Sequence, residues 1–230
     1  MSSGKILALD CSTEYCSVAL LVDGELTDRA ELAGQRHSEL VLPMVDAVLA
    51  GGALALRELD AIAFGAGPGS FTGLRIACGV AQGLAFGASR PVVPVPTLLA
   101  LAHATDARRV LAILDARMGE VYLAAYDRTN GPWQTCIAPC VCKPDAAPQL
   151  PGGDWKGVGN GFAVHGDKLR QRYVDKLTDV DAKAYPHARH IAWLADEEWR
   201  AGRGVAASVA LPLYIRDKVA FTESERRAAT

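Results

Sequence analysis

The hydrophobic period changes partway through the N-terminal half, and that change restricts the fold more than any other feature of the chain. Ile6-Leu7-Ala8-Leu9-Asp10 is a short apolar run ending in a carboxylate. Val18 to Val22 and Glu25 to Leu32 follow, joined by Asp23-Gly24, a dipeptide that accepts the positive φ of a tight hairpin turn. The chain therefore opens with strands in antiparallel order. From Ser38 to Ala50 the period becomes helical, with Val41, Val45, Val48 and Leu49 on one face. Ser38 suits the N-cap and Gly51 the stop, and Pro43 should bend the helix or delay its start. Leu59 to Ala66 reads as a strand, Phe71 to Gly87 as a helix, Pro91 to Pro96 as a strand and Thr97 to His103 as a third helix. A meander feeding β-α-β crossovers makes a mixed sheet with helices on its faces.

The layout then repeats without a sequence repeat. Val110 to Leu114 and Val121 to Tyr126 form a second hairpin around Asp115 to Gly119. Thr129 to Asp154 reads as an edge strand with loops. Gly159-Asn160-Gly161 precedes a helix through Val164 to Tyr173, and Ala188 to Trp199 is another helix with Ile191, Leu194 and Ala195 on one face. The boundary between units is expected near Thr105 to Arg108. The expected division is residues 1–106 and 107–220, with 221–230 as a polar tail.

Composition excludes several classes. At 230 residues and 50% hydrophobic, the chain can bury a proper core. A net charge of −2 disfavours autonomous binding to a phosphate backbone. The longest uncharged run, Pro91 to Thr105, holds three prolines, so no membrane span is expected. Met1 to Lys5 leads straight into a strand without a cleavage site, so a signal peptide is not expected either. Of six cysteines, Cys11, Cys16 and Cys78 read as small core residues, while Cys136, Cys140 and Cys142 match no zinc spacing. Reduced thiols fit the cytoplasm.

Two segments invite chemistry. Gly65-Ala66-Gly67-Pro68-Gly69-Ser70-Phe71-Thr72-Gly73-Leu74-Arg75 joins a strand to a helix, and its N–H groups could cradle an anion. It is neither a Walker loop, because Gly67 and Gly73 are six apart and no Lys follows, nor a dinucleotide fingerprint, because Thr72 stands where the third Gly should be. The competing reading is a tight turn whose glycines allow close packing. Asp10 at its strand end, with Ser12 and Thr13, could hold a metal-bound phosphate or be an ordinary polar turn. Ser70 lacks the G-x-S-x-G elbow of a nucleophile. His37 reads as a helix-entry residue. His103, His165, His187 and His190 form no recognised ligand pair, so neither a catalytic nor a metal residue is assigned.

Together these segments resemble the TsaB (YeaZ) family over most of the chain. The resemblance rests on Ile6 to Thr13, Arg36-His37-Ser38-Glu39 with Leu42-Pro43, Asp60-Ala61-Ile62 and Gly67 to Ile76. Asp115-Ala116-Arg117 with Glu120-Val121-Tyr122, Gly159-Asn160-Gly161 and Pro212 to Asp217 complete it. It implies an α/β fold of two actin-like (ASKHA, ribonuclease H-like) subdomains, each a mixed sheet flanked by helices. It implies a non-catalytic, cytoplasmic subunit for forming threonylcarbamoyladenosine (t6A) at position 37 of tRNAs reading codons that start with A. Such a subunit pairs with the TsaD transferase, is joined by the TsaE ATPase, forms a homodimer when alone and meets tRNA only through the complex.

No cofactor of its own is implied; ATP and a metal belong to the partner subunits. TsaD carries an H-x-x-x-H metal pair after the strand corresponding to Pro91–Pro96; here those places hold Thr97 and Leu101. The resemblance also implies a helical contact surface, read onto Leu42, Val45 and Leu49 of one helix and Leu74, Ile76, Val80 and Leu84 of the next. Gly79 and Gly83 would permit close approach. Asp10, Ser12, Thr13, Gly67, Gly69 and Ser70 would be a vestigial nucleotide or anion loop. The alternative is an actin-like ATPase or kinase using the Asp10 turn and the Gly67–Gly73 loop.

Overall fold

The computed structural model describes residues 4–216, so the tail expected at 221–230 lies outside the described residues. Two five-stranded mixed sheets share one topology. The first is built from β1 (Ile6–Asp10), β2 (Tyr15–Val22), β3 (Glu25–Leu32), β4 (Ala61–Gly67) and β5 (Val92–Pro96), in the order β3-β2-β1-β4-β5. The second uses β6 (Arg109–Asp115), β7 (Val121–Asp127), β8 (Gln134–Cys142), β9 (Trp155–Val158) and β10 (Leu177–Asp181), and read from its other edge runs β8-β7-β6-β9-β10. In each, a three-stranded antiparallel meander is extended by two parallel strands. The expected mixed sheets flanked by helices are therefore present, and the duplication is one of topology.

Alternation in β1 sets the first layer arrangement. Leu7 and Leu9 face α1 (His37–Gly51) and α2 (Phe71–Ala88), while Ile6 and Ala8 face α5 (Ala188–Arg200). Both faces are covered, so the strand is apolar from Ile6 to Leu9 and wholly buried. The face toward α5 is lined by small residues, Ala8, Ala19, Ala61 and Ala63 against Ala188, Ala192 and Ala195, which lets the helix lie close to the sheet. In the second sheet Leu111 and Ile113 pack on α4 (Gly161–Arg172), with Trp155 and Phe162. Val110, Ala112 and Leu114 pack on α3 (Thr97–His103). The short α3 belongs to both lobes, giving Ala100 to the first core and Leu98 and Leu101 to the second.

Several local expectations hold. Asp23 and Gly24 both have positive φ (49° and 90°), closing a hairpin with Val22 opposite Glu25. Cys11, Cys16 and Cys78 are buried core residues. Others need correction. Helix α1 starts at His37 with Arg36 at its N-cap, so Ser38 does not cap it and Pro43 sits inside the helix without delaying its start. Strands β9 and β10 escape sequence reading, since Trp155-Lys156-Gly157-Val158 is only four residues long and Leu177-Thr178-Asp179-Val180-Asp181 is short and polar.

Helix α5 and the segment after it lie within the span 107–220 yet pack on the first sheet. Val205 pairs with Val92, and the Leu213 N–H donates to the Ala66 carbonyl at 2.7 Å. Among the described residues no helix is long and apolar enough to cross a membrane.

Ser17 anchors this return. Its hydroxyl accepts the N–H of Ala188, the first residue of α5, at 2.9 Å, in a buried contact, while the N-cap His187 supplies no side-chain cap. Ser17→Ala should leave that N–H unpaired and cost about 1–2 kcal/mol. Chemical denaturation reads the loss, and an unchanged midpoint would refute the anchoring role.

Candidate functional site

A cleft of about 900 Å³ opens between the lobes. Its walls are two related pairs of loops. The first lobe contributes the β1–β2 turn (Ser12, Thr13) and the β4–α2 loop (Gly69, Ser70); the second contributes the β6–β7 turn (Asp115, Arg117) and Asn160 between β9 and α4.

The glycines of the β4–α2 loop and of the first turn of α2 serve backbone packing. A Cβ on Gly73 would stand 1.8 Å from the Cys11 carbonyl oxygen, and one on Gly69 2.4 Å from that of Ser12. The Ser70 N–H donates to the Ser12 carbonyl at 2.7 Å, and the Ser70 hydroxyl caps α2 by accepting the Gly73 N–H at 3.3 Å. The Gly67 N–H donates to the Thr97 hydroxyl at 3.0 Å. The close-packing reading of this loop thus has direct geometric support. On the opposite wall, a Cβ on Gly159 would stand 2.2 Å from the Ile113 carbonyl oxygen.

The residues expected to form an anion loop separate. Ser12, Thr13, Gly69 and Ser70 line the cleft, but Asp10 and Gly67 do not. Asp10 is fully buried, accepting the Ser12 N–H at 3.1 Å and the Ser12 hydroxyl at 2.8 Å, with Gly65 against its other oxygen. Burial pushes its carboxyl up from 3.8 to about 6, against the opposing hydrogen bonds from Ser12. It is therefore poorly placed to meet a ligand in the cleft. His37 does hold the helix entry: its Nε2 donates to the Thr13 carbonyl at 2.9 Å and so pins the β1–β2 turn.

The second-lobe half went unassigned in the sequence. Asp115 ends β6 as Asp10 ends β1, and it accepts from His165 Nε2 at 3.1 Å and from the Arg117 N–H at 3.3 Å. Its own N–H donates to Asn160 Oδ1 at 2.9 Å. The signal was available in the repeated pattern of an apolar run, a terminal Asp and a turn. Residues 213–216 bridge the two lobes. Tyr214 receives the Arg75 Nε–H at 3.1 Å, and Arg216 pairs with Glu120 on the far side.

The expected contact helices divide by burial. Val45 and Leu74 are each 2% exposed, Val45 sealed in the first core and Leu74 set into the cleft wall beside Gly67, so neither forms an outward surface. Leu49, Ile76, Val80 and Leu84 are half-buried against that core. Leu42 is exposed, and nothing lies within 4 Å of a Cβ placed on Gly79 or Gly83. The open face of α2 thus carries small residues beside Phe86, which is 83% exposed. Sequence reading missed Phe86 because one exposed aromatic breaks no helical pattern.

A family model for TsaD, tRNA N6-adenosine threonylcarbamoyltransferase, matches residues 29–223. The tRNA threonylcarbamoyladenosine biosynthesis protein TsaB of Haemophilus influenzae is 41% identical, covering 96% of this chain and 97% of its own length. TsaB of Escherichia coli K12 is 40% identical, covering 94% and 96%. The chain belongs to the TsaB (YeaZ) family. YeaZ from Pseudomonas aeruginosa superposes with a TM-score of 0.84 at 42% identity, covering 93% of this chain and 100% of that one. Another Pseudomonas aeruginosa structure, described as an uncharacterized protein with similarity to peptidase YEAZ, gives 0.86 at 41%, covering 94% and 100%. Thr97 and Leu101, which the sequence resemblance sets against the TsaD histidine pair, are both buried: the Thr97 hydroxyl accepts the Gly67 N–H and Leu101 fills the second core.

Two outcomes test this geometry. Gly73→Ala should destabilise by several kcal/mol, about 3 or more, because its Cβ meets fixed backbone. Gly79→Ala, on the open helix face, should stabilise by about 0.5–1 kcal/mol. Denaturant midpoints of both variants decide it, and similar values would refute the packing role.

Asp10 gives a pH signature. Its folded carboxyl titrates above its unfolded value, so its contribution is fully present below about pH 4 and is lost as pH rises through about 6. The difference is worth about 3 kcal/mol. Asp10→Asn should flatten this fall, and an unchanged slope of stability against pH over that window would refute it.

Proposed function

We propose that this chain is the TsaB-type subunit of t6A formation on tRNA position 37, working as a non-catalytic partner of TsaD. The observation that carries the reading is its near full-length relationship to proteins named for that biosynthesis. The arrangement of the molecule agrees with it. Asp10, the carboxylate best placed in sequence to hold a metal-bound phosphate, is buried under Ser12 and Gly65. The Ser70 hydroxyl accepts the Gly73 N–H as a helix cap, and among the described residues no histidine or carboxylate is hydrogen-bonded to it as a base, which leaves a peptidase reading without an activated nucleophile.

The working surface in this reading is the outer side of α1 and α2. A second α-helix can approach Gly79 and Gly83 closely, with Leu42 and Phe86 at its margins. That face serves a homodimer when the chain is alone and TsaD in the complex, and TsaE joins the pair. TsaD and TsaE supply the metal and ATP, and this chain needs no cofactor. It works in the cytoplasm, and tRNA contact runs through the assembled complex, in keeping with a net charge of −2.

Reconstitution tests the role. Leaving only this protein out of a mixture with TsaC, TsaD, TsaE, ATP and tRNA should stop t6A formation. Gly83→Arg, which enters open space, should abolish co-elution with TsaD while the melting temperature stays within a few degrees. Full modification without the protein would overturn the reading, as would ATP turnover by the isolated chain.

A further inference from the structure

Four exposed apolar side chains share one side of the first lobe. Phe86 of α2 is 83% exposed and Leu42 of α1 48%, while Val209 and Leu211, in the segment after α5, are 62% and 67% exposed. That segment runs beside α2. The Ala210 carbonyl accepts from Gln82 Nε2 at 2.8 Å and from the Cys78 thiol at 3.4 Å, and Ala210 itself is buried between its two exposed neighbours. Ile76, Val80 and Leu84 are turned to the opposite side of α2, where α1 packs. Between these sides run Gly79 and Gly83, with open space above them. The result is a channel with a glycine floor on α2, one wall from α1 and the other from residues 209–211. Exposed apolar groups gathered in this way mark an interaction site rather than scattered surface residues.

The walls differ in charge. α1 holds no Lys or Arg, and its two acids, Glu39 and Asp46, are both exposed on the stripe that carries Leu42. The opposite wall is neutral, since residues 204–213 hold no charged side chain. Arg75, the one cation of α2, is turned onto the Phe71 ring and Tyr214 at the cleft end. Arg90 lies beyond the other end of α2 and donates to the Arg57 carbonyl. Residues 4–106 as a whole hold six Lys and Arg against eleven Asp and Glu.

We propose that this channel takes one α-helix of a different chain, cationic on the side that meets α1 and aliphatic on the side that meets Val209 and Leu211. The inference rests on the α1–α2 face being the partner surface, and it adds the chemistry of the incoming helix and the second wall. The glycine floor lets that helix sink until both walls reach it, at the short end of helix–helix separations. Phe86 stands at one end as an aromatic anchor. A second copy of this chain would bring another acidic stripe to a lobe that is already negative. Charge therefore selects the foreign helix over self-pairing, as like charges brought together reject a wrong partner. Salt acts on the two contacts with opposite sign, weakening the attraction to a cationic helix and relieving the repulsion between two copies.

The affinity of the full chain for TsaD and its self-association, both measured at about 50 and about 500 mM sodium chloride, test this. TsaD binding should weaken with salt, while self-association should hold or strengthen. Glu39→Gln combined with Asp46→Gln should weaken TsaD binding about fivefold or more, remove most of its salt dependence and leave self-association no weaker. Leu211→Asp should also weaken TsaD binding. All three side chains are exposed, so melting temperatures should stay within a few degrees of the unaltered protein. TsaD binding that ignores both salt and the Gln substitutions would overturn the charge selection, and so would self-association as tight as TsaD binding at low salt. Full binding by Leu211→Asp would overturn the second wall. Gly83→Arg separates these failures from that of the face itself: if it binds TsaD normally the face is not the partner surface, whereas its loss of binding beside unaffected Gln and Asp variants overturns only the chemistry proposed for the helix.

Discussion

The architecture depends on backbone meeting backbone where each β-α loop crosses the end of a neighbouring strand. Gly73 lies against the Cys11 carbonyl and Gly159 against that of Ile113, at separations that leave no room for a Cβ. Each contact locks the loop that follows a parallel strand onto the strand that opens its hairpin. Because both lobes use it, the two turns and two loops converge on one opening. The cleft is thus a product of topology and close approach, present whether or not it retains a ligand.

The lobes are joined by more than a linker. α3 fills both cores, α5 returns to the first sheet, and residues 213–216 reach from Ala66 to Glu120. The apolar run Ile6 to Leu9 of β1 explains why a late helix is required. With Ile6 and Ala8 facing away from α1 and α2, the first sheet would expose an apolar face until α5 arrives. The N-terminal half therefore completes its fold only when the C-terminal end of the chain returns to it.

This return marks the limit of what the sequence makes legible. Hairpins, the helices on the first sheet and the strand-loop-helix around Gly67–Gly73 can be read because period, turn chemistry and capping act between near neighbours. The partner of α5 cannot, since its Ile191 and Ala195 would suit any apolar face. Strands β9 and β10 lack alternation because a four- or five-residue strand set by parallel pairing needs little sequence signal of its own. The candidate site divides in the same way. Ser12 and Ser70 could be placed in a shared loop region, whereas the burial of Asp10, Val45 and Leu74 follows from three-dimensional packing that residue type does not encode.

The same packing bears on why a cleft-bearing scaffold would serve as a partner. An enzyme built on paired lobes must expose charge toward its ligand and tolerate the strain that this exposure creates. Here Asp10 is drawn under Ser12, and Asp115 is committed to His165 and the Arg117 backbone. Those two carboxylates are thus committed to their own loops, while Glu14, Gln35 and Arg117 still line the cleft. What stays open is the small-residue face of α2, where glycine weakens the helix by about 0.5–1 kcal/mol per position and improves no internal contact. Such a cost without an internal return fits the proposed partner surface, which another helix could approach closely.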